Sequence, residues 1–98
     1  MKSKQPLIEK KEVAVEELLG ENTTGLALVV FNDEVNTFEW VIESLIAVCG
    51  HTFEQAEQCA LYIHFKGKYA VKYGIETELI PMKDALLDRS ISAQVMEP

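Results

Sequence analysis

Residues 26–49 read LALVVFNDEVNTFEWVIESLIAVC. The opening run, Leu26 to Phe31, is apolar and rich in β-favouring side chains, which predicts one buried strand. The character changes at Asn32, where Asn32, Asp33 and Glu34 place an amide and two carboxylates on a tight exit. Asn36 then fits a helix N-cap, with Glu39 three residues on to close a capping box. From there Phe38, Val41, Ile42, Leu45, Val48 and Cys49 recur at the spacing of one helical face. The unit is strand, polar elbow and amphipathic helix. The elbow admits two explanations: its short acceptors satisfy turn and helix-terminus amides, or they are aimed outward at a cation.

Downstream, Gly50 is placed as a helix stop, and Thr52 with Gln55 forms a second capping box. Phe53, Ala56, Cys59, Ala60 and Ile63 then outline a second helix, which Gly67 terminates and whose dipole Lys66 and Lys68 complement. Residues 68–74 alternate weakly and predict a short strand. Leu79, Met82, Leu86 and Leu87 outline a third helix, in which Pro81 is harmless only within the first turn. Ser92 to Met96 reads as a last strand. The order is β-α-α-β-α-β, an α+β sandwich of a three-stranded antiparallel sheet packed against three helices. Residues 25–98 form that domain. Residues 1–24, which mix Lys and Glu around an apolar patch at Val13 to Leu19 and end in a turn-rich stretch from Gly20, read as an amino-terminal arm, flexible in part.

Ninety-eight residues with 48% hydrophobic content build one modest core. The net charge of −7 argues against a nucleic-acid binder, which needs clustered Lys and Arg. Beyond Gly25, five basic residues are scattered among eleven acidic ones. Such a surface attracts a basic partner or a positively charged terminus. No stretch approaches the length of a transmembrane span, and the amino terminus lacks a signal-peptide core; the expected location is cytoplasmic. Cys49 and Cys59 fall on apolar helical positions, where a reduced thiol acts as a small hydrophobe. With His51 and His64 their spacing matches no compact zinc pattern, and no metal is expected. Neither cysteine has the neighbouring positive charge of an activated nucleophile, so a small Cys/His enzyme is the weakest of three functional hypotheses.

The stretch N-D-E-x-N-T-F-E-W-V-I from Asn32, with E-Q-A-x(6)-I-H-F-K-G from Glu54, resembles the Clp protease adaptor family, ClpS, over roughly Gly25 to Gly74. The resemblance implies the same fold, shared with the carboxy-terminal domain of the ribosomal stalk protein. It implies a monomeric adaptor without cofactor or catalysis. Such an adaptor binds proteins by a bulky hydrophobic amino-terminal residue, an N-degron, and delivers them to a Clp AAA+ unfoldase and its peptidase for ATP-dependent degradation. Carried over by position, Asn32, Glu34 and His64 hold the substrate's α-amine, while Asn36, Phe38, Ile42, Ala60 and Ile63 line an apolar pocket. Glu78 and Lys83 resemble a pair on the partner-docking face. The chain departs from the common pattern at Glu34, where the family has Asp, and at Phe38 and Ala60, where it has Met. It is also abbreviated between Ile75 and Ile91, which leaves the carboxy-terminal pocket residue unassigned. The alternative is an interaction domain of the same fold that docks a Clp-type or other partner without gripping a terminus.

Overall fold

A computed structural model describes residues 25–98, and the expected arm, residues 1–24, lies outside the described residues. Six elements follow in the order anticipated: β1 (Leu26–Phe31), α1 (Phe38–Cys49), α2 (Phe53–Lys66), β2 (Lys68–Gly74), α3 (Glu76–Asp88) and β3 (Ala93–Met96). The sheet is antiparallel with β1 in the centre, between β2 and β3. Ala27 and Val29 are buried as well as Leu28 and Val30, which explains the apolar run of β1: a strand with neither face open to water shows no polar alternation.

Leu28 and Val30 point from β1 into a core shared with Ile42 and Leu45 of α1, Ala56, Ala60 and Ile63 of α2, and Leu79 and Leu86 of α3. Leu28 pairs with Lys72 and Val29 with Ala70, so a bulge leaves Val71 as the extra residue of β2, opposite the step from Leu28 to Val29. The carbonyl of Val71 is met by His51 Nε2 at 2.9 Å, so a residue of the α1–α2 connection fastens the irregular part of the sheet.

The helix ends follow the sequence with two corrections. Gly50 and Gly67 close α1 and α2 at φ 72° and 90°, conformations that favour glycine. Thr52 and Gln55 form both halves of the capping box. The N-cap of α1, however, is Thr37 and not Asn36: the Thr37 hydroxyl accepts from the Trp40 N–H at 3.0 Å, and Glu39 takes no part. Asn36 is drawn away because its side chain serves contacts outside the helix, described below. The second correction is Pro81, which lies in the second turn of α3 and not in the first. The helix begins at Glu76, and Ile75 supplies only its carbonyl, accepting from the N–H groups of Glu78 and Leu79. Pro81 is exposed, so the backbone bond it removes is lost on the solvent side, where water replaces it. β3 begins one residue later than expected, although the Ser92 carbonyl still accepts from the Phe31 N–H at 3.0 Å.

Candidate functional site

The elbow between β1 and α1 is built on Asp33. One carboxylate oxygen accepts from the N–H groups of Val35 and Asn36, both at 2.9 Å, and the other from Asn36 Nδ2 at 2.8 Å. These bonds, led by the Asn36 N–H and opposed by partial burial, hold the Asp33 carboxyl below its usual range. The first explanation of the acidic elbow, acceptors that satisfy turn amides, holds for Asp33. Asp33 is spent on the turn, whereas its neighbours Asn32 and Glu34 are exposed.

A backbone bond carries the elbow to the end of α2. The Asn32 N–H donates to the Gly67 carbonyl at 2.8 Å, and the Gly67 N–H donates to the Ile63 carbonyl at 2.9 Å. The last turn of α2, with His64 exposed on it, therefore lies beside the strand exit. His64 packs edge-on against Phe65, ring centroids 5.1 Å apart. Two of the three residues expected at the amine, Asn32 and His64, are brought to one edge by this bond, and Glu34 lies two positions further along the elbow. Between them they offer a carbonyl oxygen, a carboxylate and a ring nitrogen.

Of the residues expected to line the apolar pocket, Ile42, Ala60 and Ile63 are buried in the core. Phe38 stands at the surface with 36% of its area exposed. Asn36 is half-buried, and its Nδ2 donates to the Ser90 carbonyl at 2.8 Å as well as to Asp33. Phe38 and Ile42 also line an open groove of about 560 Å³ between α1 and α2, which Ile46 and Phe53 continue and along which Glu39, Glu43 and Glu57 stand. Asn36, Ala60 and Ile63 are not among its walls. On α3, Glu78 is exposed in the first turn, and Lys83 pairs with its neighbour Asp84 at 3.1 Å. Five residues of helix turn these two side chains about 140° apart around the axis.

Sequence reasoning missed the residues that hold the elbow in place. Trp40 Nε1 donates to the Arg89 carbonyl at 3.0 Å, and the Arg89 guanidinium lies over the Trp40 ring, 5.0 Å from its centroid. The same guanidinium donates to the buried Ser44 hydroxyl at 3.3 Å. Only the Asp33 signal was available beforehand, since an Asp followed by backbone amides two and three residues on is an Asx-turn pattern.

Among the described residues, no three His, Cys, Asp or Glu side chains group as metal ligands. Burial raises both thiols, that of Cys59 to about 11, which leaves them protonated and weakly nucleophilic at neutral pH. No described helix is long and apolar enough to cross a membrane.

None of the curated proteins matches this sequence. Among solved structures, the chain is similar to that of Agrobacterium tumefaciens ClpS2 bound to L-phenylalaninamide, with a TM-score of 0.64 and 17% identity, covering 78% of this chain and 100% of that one. At that identity the likeness is one of fold. The family model described as "ATP-dependent Clp protease adaptor protein ClpS" matches residues 21–95, about three-quarters of the sequence. With both expected motifs inside the matched span, the chain belongs to the ClpS family of Clp protease adaptors.

Proposed function

We propose that this chain recognises bulky hydrophobic amino-terminal residues of substrate proteins and delivers them to a Clp AAA+ unfoldase and its peptidase. It acts as a cytoplasmic monomer that performs no reaction itself. The observation that carries this is the Asn32 N–H bond to Gly67, which sets the exposed strand exit beside the turn that bears His64. In this reading Asn32, Glu34 and His64 receive the substrate α-amine, which needs several acceptors to replace water. Asn36, Phe38, Ile42, Ala60 and Ile63 surround its first side chain, with Asn36 shaping the rim through its bonds to Asp33 and Ser90. The unfoldase docks on α3, with Glu78 and Lys83 at opposite edges of the contact. The similar Agrobacterium structure holds L-phenylalaninamide, a bulky side chain next to a free α-amino group, which supports this ligand class.

Magnitudes are consistent with a carrier that releases its cargo. Burying one Leu or Phe side chain contributes roughly 1.5 to 3 kcal/mol, and each hydrogen bond to a charged group roughly 1.5 to 3 kcal/mol. After the ordering costs of association, a surplus of about 6 to 8 kcal/mol corresponds to roughly micromolar to tens-of-micromolar binding. An internal peptide lacks the cation and leaves Glu34 and Asn32 without it.

A second reading, an interaction domain of the same fold that grips no terminus, is favoured by one observation: Ala60 and Ile63 are each only 3% exposed, so neither presents a wall to a ligand in this structure. Fluorescence anisotropy with otherwise identical peptides beginning with Leu, Phe, Tyr, Trp, Ile or Ala, and an acetylated Phe control, separates the two. Micromolar binding of some bulky free termini, lost on acetylation, is the expected result. Absence of binding across the set by the folded protein leaves the second reading.

A further inference from the structure

Apolar surface continues along the α1–α2 groove well beyond Phe38. Phe38, Ile42 and Ile46 recur every four residues and make one stripe on α1, and Phe53, the first residue of α2, joins them as a wall of the same groove. Phe38, Ile46 and Phe53 leave 36%, 38% and 56% of their areas exposed. Single exposed hydrophobic residues are ordinary, but a contiguous row framed by polar groups marks a docking surface.

Every charged residue among the groove walls is acidic, and the Arg89 guanidinium beside the Trp40 wall is engaged with that ring and with Ser44. Glu39 and Glu43 stand along the groove from α1 and Glu57 from α2. There is no Lys or Arg in α1, and the one in α2, Lys66, is at its far end. We propose that this groove docks a short amphipathic segment of a partner protein, with bulky apolar side chains on one face and Lys or Arg beside them. From Phe38 to Ile46 the stripe rises about 12 Å, a little over two helical turns, which suits the three side chains that a partner helix presents at positions i, i+4 and i+7. The carboxylates attract the flanking cations and repel an acidic segment of the same apolar pattern. Phe38 and Ile42 are shared with the proposed terminus pocket, but neither Asn32 nor His64 is required, so docking here does not depend on the amine clamp.

The test uses the full chain and a designed peptide of about 14 residues, long enough for the stripe, acetylated and amidated, with Leu at i, i+4 and i+7 and Lys between. Isothermal titration and amide chemical shifts are followed. Binding with shifts centred on residues 38–57 is expected, weakened at least tenfold in a Glu43→Lys/Glu57→Lys variant and in Phe53→Ser, and unchanged in Asn32→Ala. Circular dichroism of each variant confirms that it is folded. Three results overturn the proposal: no binding, equal binding of a counterpart with Glu in place of Lys, or equal binding of one with Ser in place of Leu. Self-association in sedimentation equilibrium that Phe53→Ser abolishes also overturns it, by assigning the groove to a second copy of the chain. Because the peptide is acetylated, failure here leaves terminus recognition standing, and failure of terminus recognition leaves this result intact.

Discussion

The side-chain amide of Asn36 donates to the Ser90 carbonyl at 2.8 Å across 54 residues of sequence, and so fastens the turn between α3 and β3 to the elbow that leaves β1. Ser90 is the one described non-glycine residue with positive φ, 66°, and a residue held there needs its surroundings to fix it. Trp40 Nε1, bonded to the Arg89 carbonyl at 3.0 Å, holds the preceding residue from the same side.

Removing the latch should loosen both ends at once. Asn36→Ala takes away donors to Asp33 and Ser90 together and is expected to cost about 1 to 3 kcal/mol in urea unfolding. Asn36→Asp should cost more at neutral pH, since it sets a second carboxylate against Asp33, and its excess over Asn36→Ala should shrink on acidification. An Asn36→Asp loss equal to that of Asn36→Ala at pH 7 would mean that the two carboxylates avoid each other.

Asp33 supplies a pH dependence of known sign. Its carboxyl titrates below 3.8 in the folded chain, so its bonds to Val35 and Asn36 add stability that is complete above the unfolded value. That stability is lost as pH falls through the lower folded value. Unfolding free energy measured from pH 6 downward should therefore fall more steeply in the native protein than in Asp33→Asn, with the difference appearing from about pH 4 downward. Parallel curves for the two proteins would remove Asp33 as the organiser of the elbow.

His51 should matter to the sheet although it belongs to no strand. A carbonyl only accepts, so the 2.9 Å contact with Val71 requires a proton on Nε2, and Nδ1 is left buried without a hydrogen-bond partner among the described residues. His51→Ala strips the bulge carbonyl of its donor and is expected to cost about 1 to 2 kcal/mol. Amide exchange should accelerate at the bulge, around Leu28 and Lys72, before it does so at the β1–β3 pairs. Uniform acceleration across the sheet would instead indicate a global loss.

Elements were legible in the sequence because their signals are local. The capping box of Thr52 and Gln55 and the stops at Gly50 and Gly67 each depend on residues within one turn, and the structure has them all. Asn36 and Thr37 were not separable in that way, because adjacent Asn and Thr are both good N-caps. What decides between them is Ser90, a contact of high sequence separation. The bulge at Val71 and the Trp40–Arg89 stack are likewise products of tertiary packing, which leaves no periodic trace. Of the candidate site, the acidic elbow could be read from residue chemistry. The pairing of Asn32 with the end of α2 could not, and rested on resemblance to a family.

The buried thiols lead to a simple exclusion. With burial raising both, Cys59 to about 11, alkylation by iodoacetamide at pH 7.5 should be much slower in the native protein than in urea, for Cys49 and Cys59 alike. Rapid native labelling of either would revive a Cys-based activity.

The amine clamp is open to a stricter test than single substitutions give. Asn32→Ala and His64→Ala should each weaken binding of a peptide with a bulky free terminus by about 1.5 kcal/mol or more, roughly tenfold, with the fold intact because both side chains are exposed. If the two residues hold one ammonium group together, the double variant should lose less than the sum, since the second loss falls on a ligand already displaced. Strict additivity would place them on separate parts of the ligand. Unchanged affinity in both single variants would remove the clamp altogether, and the Asn32–Gly67 bond would then be only the structural tie that closes the strand against the helix end.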